Sequence, residues 1–131
     1  MTWLWIALGS AIGGVGRYWA SGLVAERVGA TFPWGTITVN VVGSFIIGFV
    51  ATLTGPDGRL LVHPDARQFV MLGICGGFTT FSSFSLQTLT LLRDGEWLPA
   101  AANIALSVAA CLAAVVLGHL AAAALNQLKG G

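Results

Sequence analysis

Charged side chains are scarce in this sequence. Aspartate, glutamate, lysine and arginine make up 8% of its 131 residues, whereas soluble domains carry about 25%. Hydrophobic residues make up 56%, and the mean hydropathy is +0.84. So few charges could not cover the surface of a water-soluble fold of this size. The composition therefore excludes an ordinary soluble domain and indicates a membrane protein.

The few charges are also separated by long uncharged stretches. None occurs in 28–56, 68–92 or 97–128, and each of these stretches exceeds the roughly 20 apolar residues that cross a hydrocarbon core. A fourth candidate span begins near the amino terminus and includes Arg17. The sequence thus predicts an all-α membrane protein with one transmembrane domain, residues 1–131. Its four spans are expected at about 3–24, 33–54, 67–91 and 98–125.

Side chains for several kinds of chemistry are missing. No Asp or Glu lies deep in a predicted span, although proton-coupled exporters usually need such a carboxylate. Cys75 and Cys111 fall within spans as small apolar residues, and no disulfide framework or zinc-binding spacing is present. A nucleophile, a base and an orienting group do not occur together. We therefore do not expect an enzyme.

Positive charges are nearly balanced between the two sides of the membrane. With four spans, Arg59, Arg67 and Lys129 share one side, and Arg27 and Arg93 lie on the other. Lys and Arg in short loops normally set the orientation of a membrane chain, and a chain without that bias can insert in both directions. This balance predicts dual topology and an antiparallel dimer.

Glycines follow helical spacing in the first two predicted spans. The first span carries Gly9, Gly13 and Gly16, and the second carries Gly43 and Gly48. Small residues of this kind let helix backbones approach closely. Two interpretations are open: the glycines line a dimer interface, or they pack helices within one chain.

The segment GICGGFTTFSSF, residues 73–84, interrupts the third apolar span. Gly76 and Gly77 weaken a helix, which predicts a break in mid-span, and backbone freed at this depth must be buried or line a polar cavity. The alternative is that the glycines only permit tight packing. Beyond them, the polar side chains that recur at helical steps of three and four are Thr80, Ser83, Gln87 and Thr90.

Phe81 and Phe84 lie on a neighbouring stripe of the same helix, and their ring edges are electropositive. Each nearby hydroxyl could bond its own helix backbone, but several in register resemble the wall of a polar pathway. Asn40 lies deep in the second span, as a functional amide or as a contact between helices. Arg17 either extends to the interface or attracts anions in a vestibule. Asn103 and Ser107 form a weaker polar pair.

Neutral hydrogen-bond donors and ring edges suit a small anion that loses its water in stages, whereas a cation pathway would show rings of carbonyls or carboxylates. The segments GVGRYW, PWGTITVNVVGSFIIG and GGFTTFSSFS resemble, in order and spacing, the signature segments of the fluoride-specific ion channel family, Fluc/CrcB. They cover the first three predicted spans.

This resemblance implies a dual-topology antiparallel homodimer in the inner cell membrane, which exports cytoplasmic fluoride passively along two pathways. It implies a structural sodium ion, held at the dimer centre by the backbone carbonyls of Gly76 and Thr79. It implies a vestibule at Arg17. The pathway residues that it implies are Asn40, Phe81, Phe84, Thr80, Ser83, Ser107 and Gln87.

Gln87 departs from the family pattern, because many members carry a glutamate at this position. Glutamine keeps the reach of the side chain but removes the charge, so the rate of conduction is expected to differ. Two alternative functions are a small dual-topology transporter, which the missing membrane carboxylate disfavours, and a non-transporting membrane scaffold whose third-span motif serves packing.

Overall fold

The computed structural model describes residues 1–130. For residues 129 and 130 it describes only the backbone, so the side chain of Lys129 lies outside it. Every regular element in this part of the chain is helical, which confirms the all-α class. Three helical stretches are long and apolar enough to cross a membrane: Trp34–Leu53, Pro64–Arg93 and Trp97–Leu128.

The first predicted span forms a 27-residue helix, α1 (Thr2–Val28), that is not among those three stretches. Arg17 and the glycines of this helix lower its hydropathy, so the count of four spans stays a prediction. The helix ends at Gly29, whose φ of 90° is accessible to glycine without strain. The N–H of Gly29 closes the last turn by donating to Ala25 O at 2.8 Å.

The second helix, α2 (Trp34–Leu53), follows Pro33, close to the predicted 33–54. The third span is built of four pieces: α3 (Pro64–Gln68), a π-helical segment (Phe69–Cys75), α4 (Gly76–Phe78) and α5 (Phe81–Arg93). The last helix, α6 (Trp97–Gly130), begins after a turn at Gly95 with φ 77°. The third span and α6 extend beyond the predicted 67–91 and 98–125 into stretches that include polar and charged residues, since a helix can continue past the hydrocarbon core.

Helices pack mainly in two pairs, α1 against the first half of the third span and α2 against α6. A methyl group at Gly13 would overlap the carbonyl oxygen of Ile74, and one at Gly48 would overlap that of Val115. One at Gly77 would lie 2.6 Å from Ser10 O. These glycines therefore permit close helix packing within one chain, which supports the intramolecular interpretation.

Candidate functional site

The third span is broken at Thr79 and Thr80, which confirms the predicted interruption. Thr79 has φ −88° and ψ 158°, and Thr80 has φ −153° and ψ 113°, so both are extended. The break follows the paired glycines instead of falling on them, since Gly76 and Gly77 are still helical. Packing explains Gly77, which lies against α1, but not Gly76, whose surroundings leave room for a side chain.

Asn40 holds the extended backbone from the neighbouring helix α2. Its side-chain Oδ1 accepts a hydrogen bond from Thr80 N at 2.7 Å, and its Nδ2 donates to Thr80 O at 3.0 Å. One amide thus satisfies both backbone groups of Thr80, which no helix serves at this depth. Asn40 acts as a contact between helices and also faces the site, so its two sequence interpretations are compatible.

Side-chain oxygens also accept hydrogen bonds from two backbone N–H groups that would otherwise close the next turns of the helix. In an uninterrupted helix, Thr80 N would donate to Gly76 O and Ser83 N would donate to Thr79 O. Instead Thr80 N donates to Asn40, and Ser83 N donates to Thr80 Oγ1 at 3.1 Å as the amino-terminal cap of α5. The carbonyls of Gly76 and Thr79 therefore lose their usual helical partners.

Arg17 reaches this same carboxyl-terminal end of the broken helix. Its Nε donates to Gly77 O at 3.1 Å. A cation at a helix carboxyl terminus is favourable, because unsatisfied carbonyls concentrate partial negative charge there. Arg17 is half-buried at this helix end, and whether it serves a vestibule stays a prediction.

A groove of about 380 Å³ opens beside the break, between α2, the third span and α6. It gathers most of the predicted pathway residues and both predicted carbonyl residues. Its polar and aromatic lining includes Asn40, Ser44, Gly76, Thr79, Thr80, Phe81, Phe84 and Ser107. Among the side chains that the structure describes, none that lines it is acidic or basic, so hydrogen-bond donors and acceptors face an otherwise apolar space.

The two phenylalanine rings are adjacent at the groove but differ in exposure. Their centroids lie 5.1 Å apart with an interplanar angle of 49°. Phe84 is 9% exposed, whereas Phe81 is 76% exposed in the single chain. Phe84 is therefore fixed by intramolecular packing, and Phe81 is available to a neighbouring molecule.

Two predicted pathway residues, Ser83 and Gln87, are not part of the groove lining. Gln87 lines a separate cavity of about 480 Å³, together with Asp94 and Glu96. Its Oε1 is buried and has no hydrogen-bond partner among the described residues. Helical spacing placed Gln87 on one stripe with Thr80, but the groove covers only the first turn of α5.

Asn103 makes more hydrogen bonds than the sequence alone indicated. It is 1% exposed and hydrogen-bonded to side chains on both sides, Thr88 at 2.9 Å and Ser107 at 3.1 Å. The four-residue spacing from Ser107 predicted one of these contacts. The contact with Thr88 joins two helices and has no signal in local sequence.

Comparisons with known proteins agree with this architecture. A family model described as CrcB-like protein, Camphor Resistance (CrcB), matches residues 4–119. A protein of Methylocella silvestris is 62% identical over 130 residues, covering 99% of both chains. One of Opitutus terrae is 66% identical over 128 residues, covering 98% of this chain and 97% of its own.

Both relatives are named fluoride-specific ion channel FluC, as is a protein of Rhodospirillum rubrum that is 58% identical over 127 residues, covering 97% of this chain and 98% of its own. Because these names describe channels, the prediction that the chain is not an enzyme is confirmed. With the apolar helices, they also confirm the predicted location, a multi-pass protein of the cell membrane. The chain therefore belongs to the CrcB-like family.

Proposed function

We propose that this chain forms a fluoride-selective channel through which cytoplasmic fluoride leaves the cell passively. The observation that carries the proposal is the uncharged groove at the helix break, where the Asn40 amide and the Phe81 and Phe84 rings face one space. The names of the full-length relatives support the same ion. Hydrogen fluoride enters a cell as a neutral molecule and dissociates inside, so a passive path suffices to release the trapped anion.

Selectivity follows from the cost of removing water from a small anion. Asn40 Nδ2 carries two hydrogens, and Thr80 O accepts one of them. The second can donate to fluoride, and a hydrogen bond to an ion is stronger than one between neutral groups. Ring edges of Phe81 and Phe84 add weaker positive contacts. Larger halides would gain less from a narrow site of this kind.

The channel is an antiparallel homodimer of dual-topology chains, with two pathways. Phe81 is largely exposed in the single chain even though it lines the groove beside the polar Asn40 and Ser107. A second copy against this face would cover the ring and convert each groove into an enclosed path. The near-even distribution of Lys and Arg supports insertion in both directions.

Four spans per chain are required for this arrangement. Helix α1 has 27 residues, which at about 1.5 Å per residue gives about 40 Å, more than the roughly 30 Å of a hydrocarbon core. Its Arg17 is half-buried and donates to Gly77 O, which offsets part of the cost of a charge within a span. Both features are compatible with α1 crossing the membrane, which would bring the number of spans to four.

A structural sodium ion fits the carbonyls of Gly76 and Thr79. Both residues line the groove, and the amide donors that would serve their carbonyls in a helix are bonded elsewhere. Backbone carbonyls are suitable ligands for a hard monovalent cation at a helix break. When bound, the ion would supply positive charge that offsets the cost of an anion in a low-dielectric site.

The alternative of a small coupled transporter has less support, because no carboxylate lines the groove. A non-transporting scaffold would also place polar groups at the break, and only transport separates it from a channel. Purified protein in vesicles loaded with fluoride and chloride provides the test, read with ion-selective electrodes. We expect rapid loss of fluoride with chloride retained; loss of both ions, or of neither from a correctly assembled protein, would contradict the proposal.

Replacing Arg17 with glutamine is expected to lower fluoride efflux roughly fivefold, since a favourable charge at the helix terminus contributes on the order of 1 kcal/mol. Arg17→Lys keeps the charge and should lose less. Efflux from vesicles measures both. Arg27→Gln removes a charge from the last turn of the same helix and serves as the control. Equal losses in Arg17→Gln and Arg27→Gln would show that the contact with Gly77 O is unimportant.

A further inference from the structure

A continuous chain of buried hydrogen bonds runs behind the groove. Ser107 Oγ donates to Asn103 Oδ1 at 3.1 Å, Asn103 Nδ2 donates to Thr88 Oγ1 at 2.9 Å, and Thr88 Oγ1 donates to Phe84 O at 2.8 Å. Ser107, Asn103 and Thr88 are all less than 9% exposed. The chain begins at a residue that lines the groove and ends on the backbone of Phe84, which also lines it.

The direction of each bond is determined by the amide of Asn103. An amide oxygen only accepts and an amide nitrogen only donates, so Ser107 must donate and Thr88 must accept. Thr88 then uses its single hydrogen on Phe84 O. Consequently the Ser107 hydroxyl hydrogen points away from the groove, and only its lone pairs remain for that space.

The bond from Asn103 to Thr88 is also the link between two helices. Among the described residues, it is the one hydrogen bond that joins a side chain of α5 to a side chain of α6. Asn40 fixes the amino-terminal end of α5 through Thr80, and Asn103 fixes a point two turns further along. Two amides from different helices thus determine where α5, and with it Phe84, lies relative to the groove.

We propose that Asn103 is a positioning residue of the pathway: through Thr88 it fixes the placement of α5 and Phe84, and its bond from Ser107 ties this network to the lining of the groove. Asn103 itself does not touch the ion, because it is buried and absent from the groove lining. This inference rests on the proposed fluoride channel. A buried network whose members all have partners specifies one arrangement of its helices, which a narrow anion path requires.

Thr88→Val and Thr88→Ser test the inference together. Valine keeps the shape but removes the acceptor for Asn103 and leaves a buried amide N–H without a partner. Serine restores the hydroxyl. We expect Thr88→Val to lower fluoride efflux by about tenfold and Thr88→Ser to recover it to within about twofold. Thr38→Val is the matched control, because the Thr38 hydroxyl donates only to Trp34 O of its own helix.

Hydrogen exchange of the peptide 81–93 gives a second readout that does not depend on transport. Deuterium uptake should rise in Thr88→Val and stay at the wild-type level in Thr88→Ser and Thr38→Val. If wild-type vesicles carry no fluoride, the proposed function fails, while the exchange comparison still decides whether Asn103 positions α5. Should Thr88→Val not assemble, Thr88→Cys offers only a weak acceptor and must show losses in the same direction.

Wild-type efflux from Thr88→Val, or equal damage in Thr88→Val and Thr88→Ser, would overturn the inference. The first result would mean that the bond does not determine the pathway. The second would mean that the residue acts by packing, since serine retains the hydrogen bond but lacks the methyl group.

Discussion

Asn40→Asp is expected to abolish measurable fluoride efflux, with a fall of at least roughly 100-fold, equivalent to about 3 kcal/mol in the barrier. Aspartate is close to isosteric, and its Oδ1 can still accept from Thr80 N, as Asn40 does at 2.7 Å. The other carboxylate oxygen, however, would face Thr80 O, which now accepts from Nδ2 at 3.0 Å. The change removes the donor offered to the anion and places a negative charge in its path.

The control for this change is Asn126→Asp. Asn126 also bridges two backbone groups, with Oδ1 accepting from Arg59 N at 2.7 Å and Nδ2 donating to Thr52 O at 3.2 Å. It is absent from the groove lining, so Asn126→Asp should conduct within about twofold of wild type. Efflux from vesicles is compared after size-exclusion chromatography has established that both variants assemble equally.

Undiminished efflux in Asn40→Asp would place Asn40 outside the pathway and leave it only the role of holding Thr80. A loss that is equally large in Asn126→Asp would have a different meaning. It would show that exchanging any such bridging amide for a carboxylate damages the fold, so that the result carries no information about the anion.

The membrane-spanning helices could be predicted largely from the distribution of charge. An uncharged stretch must be at least as long as the bilayer is thick, and the predicted span 33–54 accordingly lies close to α2. The exact site of the helix break could not be predicted. It depends on Asn40, forty residues away, whose side chain takes the backbone donor of Thr80.

Five of the residues that the family resemblance implies for the pathway lie together in the structure. Asn40, Thr80, Phe81, Phe84 and Ser107 line one groove, and their role in conduction stays a prediction.

Side-chain partners across helices could not be predicted in the same way. The bond from Arg17 to Gly77 O and the bond from Asn103 to Thr88 are two such contacts, and the vestibule role of Arg17 stays a prediction. Both contacts depend on how helices rotate against each other, which periodicity within one helix does not determine.

Phe81→Ile is the second substitution expected to have a large effect, a fall in fluoride efflux of roughly 100-fold. Isoleucine keeps an apolar side chain but has no electropositive ring edge. Phe81 is 76% exposed in the single chain, so the loss of ring contacts within the chain is small and folding of the chain should be preserved. The effect should therefore appear in transport and not in the yield or size of the purified protein.

Phe45→Ile is the matched control, because Phe45 is also an exposed ring beside a second phenylalanine, with centroids 6.3 Å apart, but does not line the groove. It should conduct within about twofold of wild type. Efflux from vesicles, together with the oligomeric mass of each variant in detergent, distinguishes a role of the ring in conduction from a role in dimer assembly. A dimer of Phe81→Ile that conducts normally would remove the ring edge from the mechanism, whereas a monomer would show that Phe81 serves to join the two copies.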